Sequence, residues 1–375
     1  MEQARILIIG GGVVGCAVAR AVSRRWDDVF LVEALPRVGM ATSTRNSGVI
    51  HSGLYYPKVS LKARHCVEGN RLTYEFCAAH NVPHRRTGKL IVAADAHEAE
   101  ELEDLRRRGE ANGVAGMRIL GQEAMRASEP HVAGVAALEI SSTGILSPED
   151  LVKAYARVAV EQGANIVTHA RVEALEPQRD AVRVSLRIGD EESAARETIE
   201  AQCVVNAAGL YADEVAAMLG NHSWRIYPVR GEYCEIRGPR VWLINGLVYP
   251  LPHPKGLSLG VHFTKTLWGT VLVGPTARYV EDKNDYERGR LAVEDFARSA
   301  KALLPEIEAS DLQLGYSGLR AKLVPPGGKG PADFVILRDP KVPRAIQLVG
   351  IESPGLTAAP AIAEHVFRLI EETLS

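Results

Sequence analysis

Apolar runs, glycine turns and amphipathic stretches succeed one another along the chain. Near the N-terminus, "RILIIGGGVVGCAVARAVSRRWDDVFLVEA" predicts a buried strand, a glycine turn, a helix and a second buried strand. A strand, a small-residue turn and a helix follow again in "CVVNAAGLYADEVAAML" and in the last segment, "AIQLVGIESPGLTAAPAIAEHVFRLIEETLS", whose helix we expect to begin near Gly355. Strands that alternate with helices are typical of an α/β domain.

A different pattern occupies the middle of the chain. Short apolar segments punctuated by proline and glycine predict strands in "HRRTGKLIVAAD", "WRIYPVRGEYCEIRG", "GLVYPLPH", "LSLGVHFTK" and "GTVLVGPTA". We expect a charged surface helix, closed by Gly113, in "HEAEELEDLRRRGEANG" and an amphipathic helix in "YERGRLAVEDFARSAKALLPEI". The change of pattern predicts a second domain.

Composition narrows the class of protein. The chain has 375 residues, of which 46% are hydrophobic and 24% charged, so it is long enough for two domains with cores. Its net charge of −2 gives no basic field for nucleic acid. No apolar run reaches the roughly 18 residues of a membrane span, and "MEQARILIIGGG" enters a strand at once, so we expect neither a transmembrane segment nor a signal peptide. Five scattered cysteines indicate reduced, packed thiols in a cytoplasmic protein and no metal site.

The first glycine turn carries a specific spacing. Gly10, Gly12 and Gly15 form G-x-G-x-x-G directly after an apolar strand, with Val13 and Val14 inside the motif. This spacing allows a tight turn, the approach of a pyrophosphate to the backbone, and close packing of helix on sheet. The free amides of the helix N-terminus favour the phosphates. Because Glu33 ends the second strand, just before Ala34, it is placed to bind a ribose diol, and we predict a dinucleotide site.

This unit alone does not separate NAD from FAD, but the following segment favours FAD. "TSTRNSGVIHSGLYYP" is irregular and rich in donors, whereas an NAD domain would usually continue into another βα repeat. Its polar residues suit an extended pyrophosphate and ribityl chain. We also expect a strand near 165–170, ending around Val172 at the adenine, and amides of the last helix at the N1–C2=O edge of a flavin. The remaining candidate cofactor residues are Thr42, Ser43, Arg45, Asn46, Ser47, Ala208, Gly209, Ser353, Pro354, Gly355, Leu356 and Thr357.

The order of motifs resembles the D-amino-acid oxidase (DAO) superfamily of FAD enzymes. "HSGLYYP", "SLKARHCVEGN", "TGKLIVA", "PVRGEY", "YPLPHPKGLSLGVHFT" and "SGLRAK" are similar to its L-2-hydroxyglutarate dehydrogenase/oxidase branch over nearly the whole chain. The resemblance implies a glutathione-reductase-like α/β fold. In it, a Rossmann-like FAD-binding domain (1–82, 145–220 and 312–375) is interleaved with a mostly antiparallel β-sheet substrate domain (83–144 and 221–311).

The resemblance also implies site residues. Its "HSGLYYP" loop reaches the flavin ring, which makes His51 the first candidate base. Independently of the resemblance, alternation along "LSLGVHFT" places His262 and Thr264 on one face of a strand, so His262 is the second candidate base if that face meets the flavin. Because of their polar or helical surroundings, we expect these other histidines at the surface: His65, His80, His84, His97 and His222. Arg320 would clamp a substrate carboxylate, because guanidinium donors match it bidentately. Lys322 lies on the same face of an extended segment, and Arg230 is expected to be structural. Further candidates for the substrate cavity are Tyr249, Tyr56 and Thr264.

Together with these residues, the resemblance implies the oxidation of a small 2-hydroxy acid by hydride transfer to flavin N5, with L-2-hydroxyglutarate as the best candidate. The alternatives are a D-amino-acid or N-methyl amino-acid dehydrogenase/oxidase and a redox-silent FAD-binding protein. An NAD(P)-linked reductase is disfavoured because no second G-x-G-x-x-G occurs. The electron acceptor stays open between oxygen, a quinone and another flavoprotein. With a quinone, peripheral contact with the inner membrane would accompany the expected cytoplasmic location.

Overall fold

A computed structural model gives the structure of residues 2–190, 194–252, 259–328, 330 and 332–375. Within these residues the chain forms eight α-helices and twenty strands. The helices are α1 (Val13–Val22), α2 (Leu61–Ala79), α3 (Ala96–Ala111), α4 (Gln122–Ser128), α5 (Pro148–Glu161), α6 (Ala212–Met218), α7 (Val293–Ala300) and α8 (Gly355–Leu374).

The strands fall into three sheets and are numbered along the chain. They are β1 (Glu2–Ile9), β2 (Val29–Val32), β3 (Val49–Ile50), β4 (His84–Arg85), β5 (Leu90–Ala93), β6 (Met117–Gly121), β7 (Ala136–Ile140), β8 (Gly144–Leu146), β9 (Asn165–Val167), β10 (Ala170–Pro177), β11 (Val182–Ile188), β12 (Ala195–Asn206), β13 (Tyr227–Ile236), β14 (Leu247–Pro250), β15 (His262–Lys265), β16 (Val271–Gly274), β17 (Arg278–Tyr279), β18 (Leu312–Lys322), β19 (Val335–Arg338) and β20 (Ala345–Val349).

The first sheet is the nucleotide-binding type predicted from the glycine turn. Its centre is parallel: β1 lies between β12 and β2, β9 pairs with β2, and β20 pairs with the end of β12. The antiparallel strands β10, β11 and β19 extend it. Helices α1, α5 and α8 pack together over one face and bury a large apolar core with it. Ligands of such sheets bind outside the carboxyl ends of the parallel strands.

The second sheet is mostly antiparallel, as predicted. It runs in the order β17-β13-β16-β15-β14-β5-β7-β6, and β18 pairs with β13; the pair β14–β5 is parallel. The apolar residues of α7 pack on it in a separate core. A small third sheet of β3, β8 and β4 places His51 directly after its first strand.

Two predicted elements differ from the structure. The amphipathic helix α7 covers only Val293–Ala300, because Gly289 and Pro305 interrupt the longer apolar pattern. The strand expected near 165–170 is two strands separated by a turn at His169, whose φ is +52°. Val172 therefore lies inside β10, opposite Leu186, and not at a strand end.

Strand β18 belongs to the second sheet, although it falls within the predicted FAD-binding segment 312–375. The alternation of "LQLGYSGLRAK" does not reveal which sheet receives the strand. The other limits of the interleaved domains stay a prediction. All five cysteines are free and buried, which confirms the expectation of packed thiols. Across the described ranges, no helix is long and apolar enough to span a bilayer.

Candidate active site

One cavity collects most of the residues predicted from sequence. Its volume is about 1310 Å³, and its wall runs from the glycine turn at Gly12 to both candidate histidines. The wall contains these predicted residues: Gly12, Val13, Val14, Thr42, Ser43, Arg45, Asn46, Ser47, His51, Tyr56, Gly209, Tyr249, His262, Arg320, Lys322, Ser353, Pro354, Gly355 and Leu356. The volume exceeds that of a typical small-ligand pocket, as a dinucleotide plus a substrate requires.

The glycine turn fits a pyrophosphate. A Cβ on Gly10, whose φ is +109°, would lie 2.5 Å from the Ala207 carbonyl oxygen, and one on Gly15 would clash with the Gly10 carbonyl oxygen. Both positions therefore require glycine for local geometry. Gly12 borders the cavity directly, so its backbone is open to a ligand. The N-terminus of α1 lies at the same place, and its N-cap residue Gly12 makes no side-chain hydrogen bond to the first turn.

Two side chains already bind the amides of this turn. The Ser43 hydroxyl accepts a hydrogen bond from the Val13 amide at 2.8 Å. The Glu33 carboxylate accepts from the Gly11 amide at 2.6 Å and from the Leu35 amide at 2.8 Å. These bonds fix Glu33 at the carboxyl end of β2, where a ribose diol is expected, and a carboxylate can accept further bonds there.

The polar loop after the first βαβ unit is held in place by its own side chains. Asn46 donates to the Ser43 carbonyl at 2.8 Å and accepts from the Gly48 amide at 2.9 Å. The Arg45 guanidinium stacks over the Tyr286 ring at 4.4 Å. The loop is thus preorganised along the cavity wall, which suits an extended polar ligand.

The last helix begins at Gly355, as predicted, with Ser353 and Pro354 just before it on the cavity wall. Its N-cap makes no side-chain hydrogen bond. Thr357 was expected at the flavin but is fully buried, accepts from the His51 amide at 2.9 Å and donates to the Val49 carbonyl. Its side chain fixes the backbone of His51 and does not border the cavity.

His51 is tied down by its backbone and presents its ring to the cavity. Its carbonyl accepts from Asn70 at 2.9 Å, and its Nε2 lies 3.4 Å from the Ser353 hydroxyl. Burial, together with the Lys89 ammonium, lowers the pKa of His51 to about 3. The ring is therefore neutral at physiological pH and able to accept a proton.

His262 stands on the second sheet and is buried, with 5% of its surface exposed. Its Nδ1 lies 2.8 Å from the Gly260 carbonyl oxygen. Because a carbonyl only accepts, Nδ1 carries the proton, which leaves Nε2 as the acceptor. Burial lowers the pKa of His262 to about 3; the hydrogen bond to Gly260 opposes this shift, and the Lys89 and Arg320 charges add to it.

Arg320 has the freedom expected of a substrate-binding arginine. Its Nη1 donates to the Thr276 carbonyl at 3.2 Å, and its guanidinium packs over Gly231, where a Cβ would lie 2.8 Å from Nη1. No ion pair of Arg320 occurs among the described residues. Gly231 of "PVRGEY" therefore leaves space on the cavity wall for the Arg320 guanidinium, a cation with no ion-pair partner among the described residues.

Lys322 has a different environment from the one expected. Its Nζ lies 3.5 Å from Glu352, and the same carboxylate binds Lys62 at 2.9 Å. All three side chains border the cavity. Two ammonium groups thus share one carboxylate, which leaves one surplus positive charge on this wall.

Eight predicted residues do not border the cavity. Gly10 and Gly15 shape the turn, Glu33 acts at the end of β2, and Thr264 is buried at 1% exposure beside Tyr249. The full set is Gly10, Gly15, Glu33, Ala34, Val172, Ala208, Thr264 and Thr357. Val172 packs its side chain into a core, so only its backbone could meet an adenine.

Two other sequence predictions concern structural residues. Arg230 is fully buried and pairs with Glu232 at 3.0 Å and Asp285 at 2.9 Å, in agreement with a structural role. The surface position predicted for His65 is wrong. It has 2% exposure and its Nε2 lies 3.2 Å from Nδ1 of His365, because α2 packs on α8.

Sequence reasoning missed Tyr55, Tyr233 and Lys89. The two tyrosines border the cavity. Lys89 is 2% exposed and donates to the Tyr55 hydroxyl at 3.1 Å. A charged residue at the head of the apolar run "LIVA" was the available signal, since a lysine is rarely fully buried without a reason.

The chain is similar to curated L-2-hydroxyglutarate dehydrogenases over most of its length. The chain is 37% identical to the mitochondrial L-2-hydroxyglutarate dehydrogenase of Arabidopsis thaliana, over 97% of this chain and 83% of that protein. It is 30% identical to the L-2-hydroxyglutarate dehydrogenase of Escherichia coli K12, over 98% and 93%, and 31% identical to the human mitochondrial enzyme, over 88% and 80%.

Solved structures agree with the fold. FAD-bound, dithionite-reduced L-α-glycerophosphate oxidase from Mycoplasma pneumoniae matches with a TM-score of 0.89 at 30% identity, over 99% of this chain and 95% of that chain. L-Proline dehydrogenase from P. horikoshii matches with a TM-score of 0.83 at 19% identity, over 99% and 94%, which shows the fold alone. The model of the FAD dependent oxidoreductase family, DAO, matches residues 5–369. The chain therefore belongs to the DAO family of FAD-dependent oxidoreductases.

Proposed function

We propose that the chain oxidises L-2-hydroxyglutarate to 2-oxoglutarate. The observation that carries the proposal is the placement of Arg320, a cation with no ion pair within the described residues, on the cavity wall that also holds two neutral histidines. The relatives named for this activity, at 30–37% identity over most of the chain, support the same substrate.

Most of the residues suited to hold FAD lie along the cavity wall, and Glu33 lies beyond it at the carboxyl end of β2. The backbone around Gly12 and the α1 amides would take the pyrophosphate, Glu33 the adenosine ribose, and the start of α8 the pyrimidine edge of the flavin. When bound, FAD would accept the hydride that leaves C2 of the substrate.

The hydroxyl proton needs its own acceptor, because an alcohol does not lose it unaided. As the C2–H bond breaks and the C=O bond forms, a neutral imidazole takes this proton. His51 is the first assignment, since it stands beside Ser353 on the wall where α8 begins. His262 is the second, on the opposite domain, with its Nε2 oriented by the Nδ1–Gly260 hydrogen bond.

Arg320 would bind the C1 carboxylate with two parallel hydrogen bonds and so hold C2 in a fixed orientation. The distal carboxylate would go to the Lys62–Lys322–Glu352 cluster, whose surplus positive charge suits one more anion. Arg320 and Lys322 are two residues apart on β18, roughly 6.7 Å along the strand, a spacing that a five-carbon dicarboxylate can bridge.

The test is anaerobic reduction of the purified holoprotein. L-2-Hydroxyglutarate should bleach the flavin absorbance and give one 2-oxoglutarate per flavin. D-2-Hydroxyglutarate, 2-hydroxybutyrate, L-α-glycerophosphate, and 2-amino acids of both hands serve as comparators. Faster reduction by glycerophosphate or by an amino acid would replace the proposed substrate, and no reduction by any of them would support a redox-silent protein.

A further inference from the structure

Lys89 is a buried cation beneath the active-site cavity. It precedes β5, and its backbone pairs with Ile140 of β7, so its position is fixed by the sheet. Its ammonium lies 4.5 Å from the centre of the Tyr55 ring and 4.7 Å from that of Tyr249. Both rings belong to the cavity wall.

Aromatic faces and one hydroxyl replace the usual carboxylate partner of this lysine. Within the described ranges, no acidic side chain lies within ion-pair distance of Lys89. Cation–π contacts offset only part of the cost of desolvating an ammonium. A buried lysine without a counter-ion is costly, and an apolar residue of similar length would fill the space more cheaply. The presence of a lysine at this buried position therefore indicates a functional role for its ammonium.

We propose that Lys89 is a positioning residue for the oxidation proposed above: its ammonium orients the Tyr55 hydroxyl as a donor toward the cavity, and it places a positive charge beside the candidate bases through Tyr249, on which both the ammonium and the His262 ring pack. The inference rests on the proposed function, because both effects concern a substrate whose hydroxyl proton is removed and whose carboxylates need donors.

The Tyr55 part follows from hydrogen-bond direction. An ammonium only donates, so the Tyr55 oxygen accepts from Lys89 at 3.1 Å. The hydroxyl proton of Tyr55 must then point elsewhere, and its side chain borders the cavity. Tyr55 is thus available as a donor to an anionic substrate.

The histidine part follows from packing: the Lys89 ammonium lies 4.7 Å from the centre of the Tyr249 ring, and the His262 ring stacks on the same tyrosine with centres 3.7 Å apart, so a protonated His262 would meet a like charge. The Lys89 charge lowers the pKa of both His51 and His262, after burial as the main cause. Removal of this charge must raise both pKa values. Burial lowers the pKa of Lys89 itself to about 7, so the repulsion is strongest below that pH. A base that would otherwise protonate on acidification is protected in the same pH range.

Other titratable or charged groups also surround these three residues. Arg320 lowers the pKa of His262, and the Cys66 thiol on α2 acts on Lys89. Helix α3, which packs on β5, contributes three charged side chains to the cavity wall. The Lys89 variants leave all of these neighbouring groups unchanged: Tyr55, Tyr249, Cys66, Arg320, Glu101, Asp104 and Arg108.

The experiment compares four holoproteins: wild type, Lys89→Met, Lys89→Arg and Tyr55→Phe. Each is checked for FAD content and melting temperature. The rate of flavin reduction by L-2-hydroxyglutarate is then measured anaerobically by stopped-flow pH jump from pH 2.5 to 9, so that an acid limb near pH 3 in the wild type lies inside the range. A failure of the wild type to be reduced sinks the proposed function, independently of the variants.

With an active wild type, Lys89→Met should move the acid limb of kcat/KM upward by about one pH unit, the usual effect of a nearby like charge. Lys89→Arg should restore the wild-type limb. Tyr55→Phe should keep the limb, since the charge remains, and raise KM about fivefold or more. The charge role is overturned if the pH profile of kcat/KM for Lys89→Met matches that of the wild type, or if kcat/KM is lower by the same factor at every pH. An unchanged KM in Tyr55→Phe overturns the donor role.

Discussion

The imidazole of His262 stacks on the ring of Tyr249, with ring centres 3.7 Å apart and planes at 19°. Tyr249 also packs against the Lys89 ammonium, so a neutral histidine, a phenol and a buried cation form one rigid group. Because stacking fixes the ring plane and Gly260 fixes the tautomer, His262 presents Nε2 in a single orientation. A preorganised acceptor of this kind is what proton removal requires.

The two histidines can be separated by substitution. His51→Asn and His262→Asn should retain FAD, but the true base variant should reduce its flavin roughly 10²–10⁴-fold more slowly, the usual contribution of a general base. Single-turnover reduction measures this directly. His97→Asn is the matched control, because His97 is an exposed helix residue. Wild-type rates in both active-site variants would leave the chain without the proposed base.

Arg320 is expected to act through its forked geometry. Arg320→Lys keeps the charge but loses the bidentate contact, so kcat/KM should fall roughly tenfold or more. Gly231→Ala tests the same contact without replacing the arginine, because the new Cβ would lie 2.8 Å from Nη1 of Arg320 and displace its guanidinium. We expect a loss of similar size from steady-state kinetics. Arg298→Lys, on an exposed side chain, is the control. If both active-site variants keep wild-type kcat/KM, Arg320 does not bind the substrate.

The Lys62–Lys322–Glu352 cluster should distinguish a dicarboxylate from a monocarboxylate. Lys322→Met removes the surplus positive charge, so kcat/KM should fall more for L-2-hydroxyglutarate than for 2-hydroxybutyrate. Glu352→Gln should instead raise the ratio of kcat/KM for L-2-hydroxyglutarate to that for 2-hydroxybutyrate, because it leaves both ammonium groups without their carboxylate partner. Steady-state kinetics on the two substrates measure the ratio, with Lys301→Met as the exposed control. Equal losses on both substrates would show that the cluster does not bind the distal carboxylate.

FAD retention should depend on the first glycine turn. Gly15→Ala places a methyl group against the Gly10 carbonyl oxygen, so α1 can no longer close on the turn. We expect the variant to purify with little FAD, measured by absorbance after denaturation. Gly121→Ala is the matched control, because its φ is −72° and a Cβ there has no neighbour within 4 Å in the described structure. Normal FAD content in Gly15→Ala would contradict the assignment of the turn.

Acid should destabilise the fold through its buried neutral histidines. Burial lowers the pKa of His65 to about 4, whereas in the unfolded chain it titrates near 6.5. Between these values the unfolded state binds more protons, so stability is lost as pH falls. His65→Gln should lose fewer degrees of melting temperature than wild type between pH 7 and pH 5, measured by calorimetry. An equal or larger loss in the variant would reject this explanation.

Much of the fold was visible in local pattern. The G-x-G-x-x-G spacing and the helix at Gly355 were correct because turns and helix starts depend on neighbouring residues. Long-range pairing was not visible: the sheet that receives β18 depends on its partner β13, and the burial of His65 depends on α8. The environment of Lys89 cannot be predicted for the same reason, since its partners Tyr55 and Tyr249 lie far from it in sequence. Thr357 is predicted from sequence as a cofactor residue, but its hydrogen bond to the His51 amide joins residues far apart in the sequence, so local pattern does not predict it.

The anaerobic titration of the wild-type holoprotein with L-2-hydroxyglutarate tests the central claim most directly. We expect full bleaching of the flavin, the appearance of 2-oxoglutarate in equal amount, and slower reduction by D-2-hydroxyglutarate, 2-hydroxybutyrate, L-α-glycerophosphate and 2-amino acids. A flavin that stays oxidised with L-2-hydroxyglutarate, while any of the other compounds reduces it, would show that L-2-hydroxyglutarate is not the substrate.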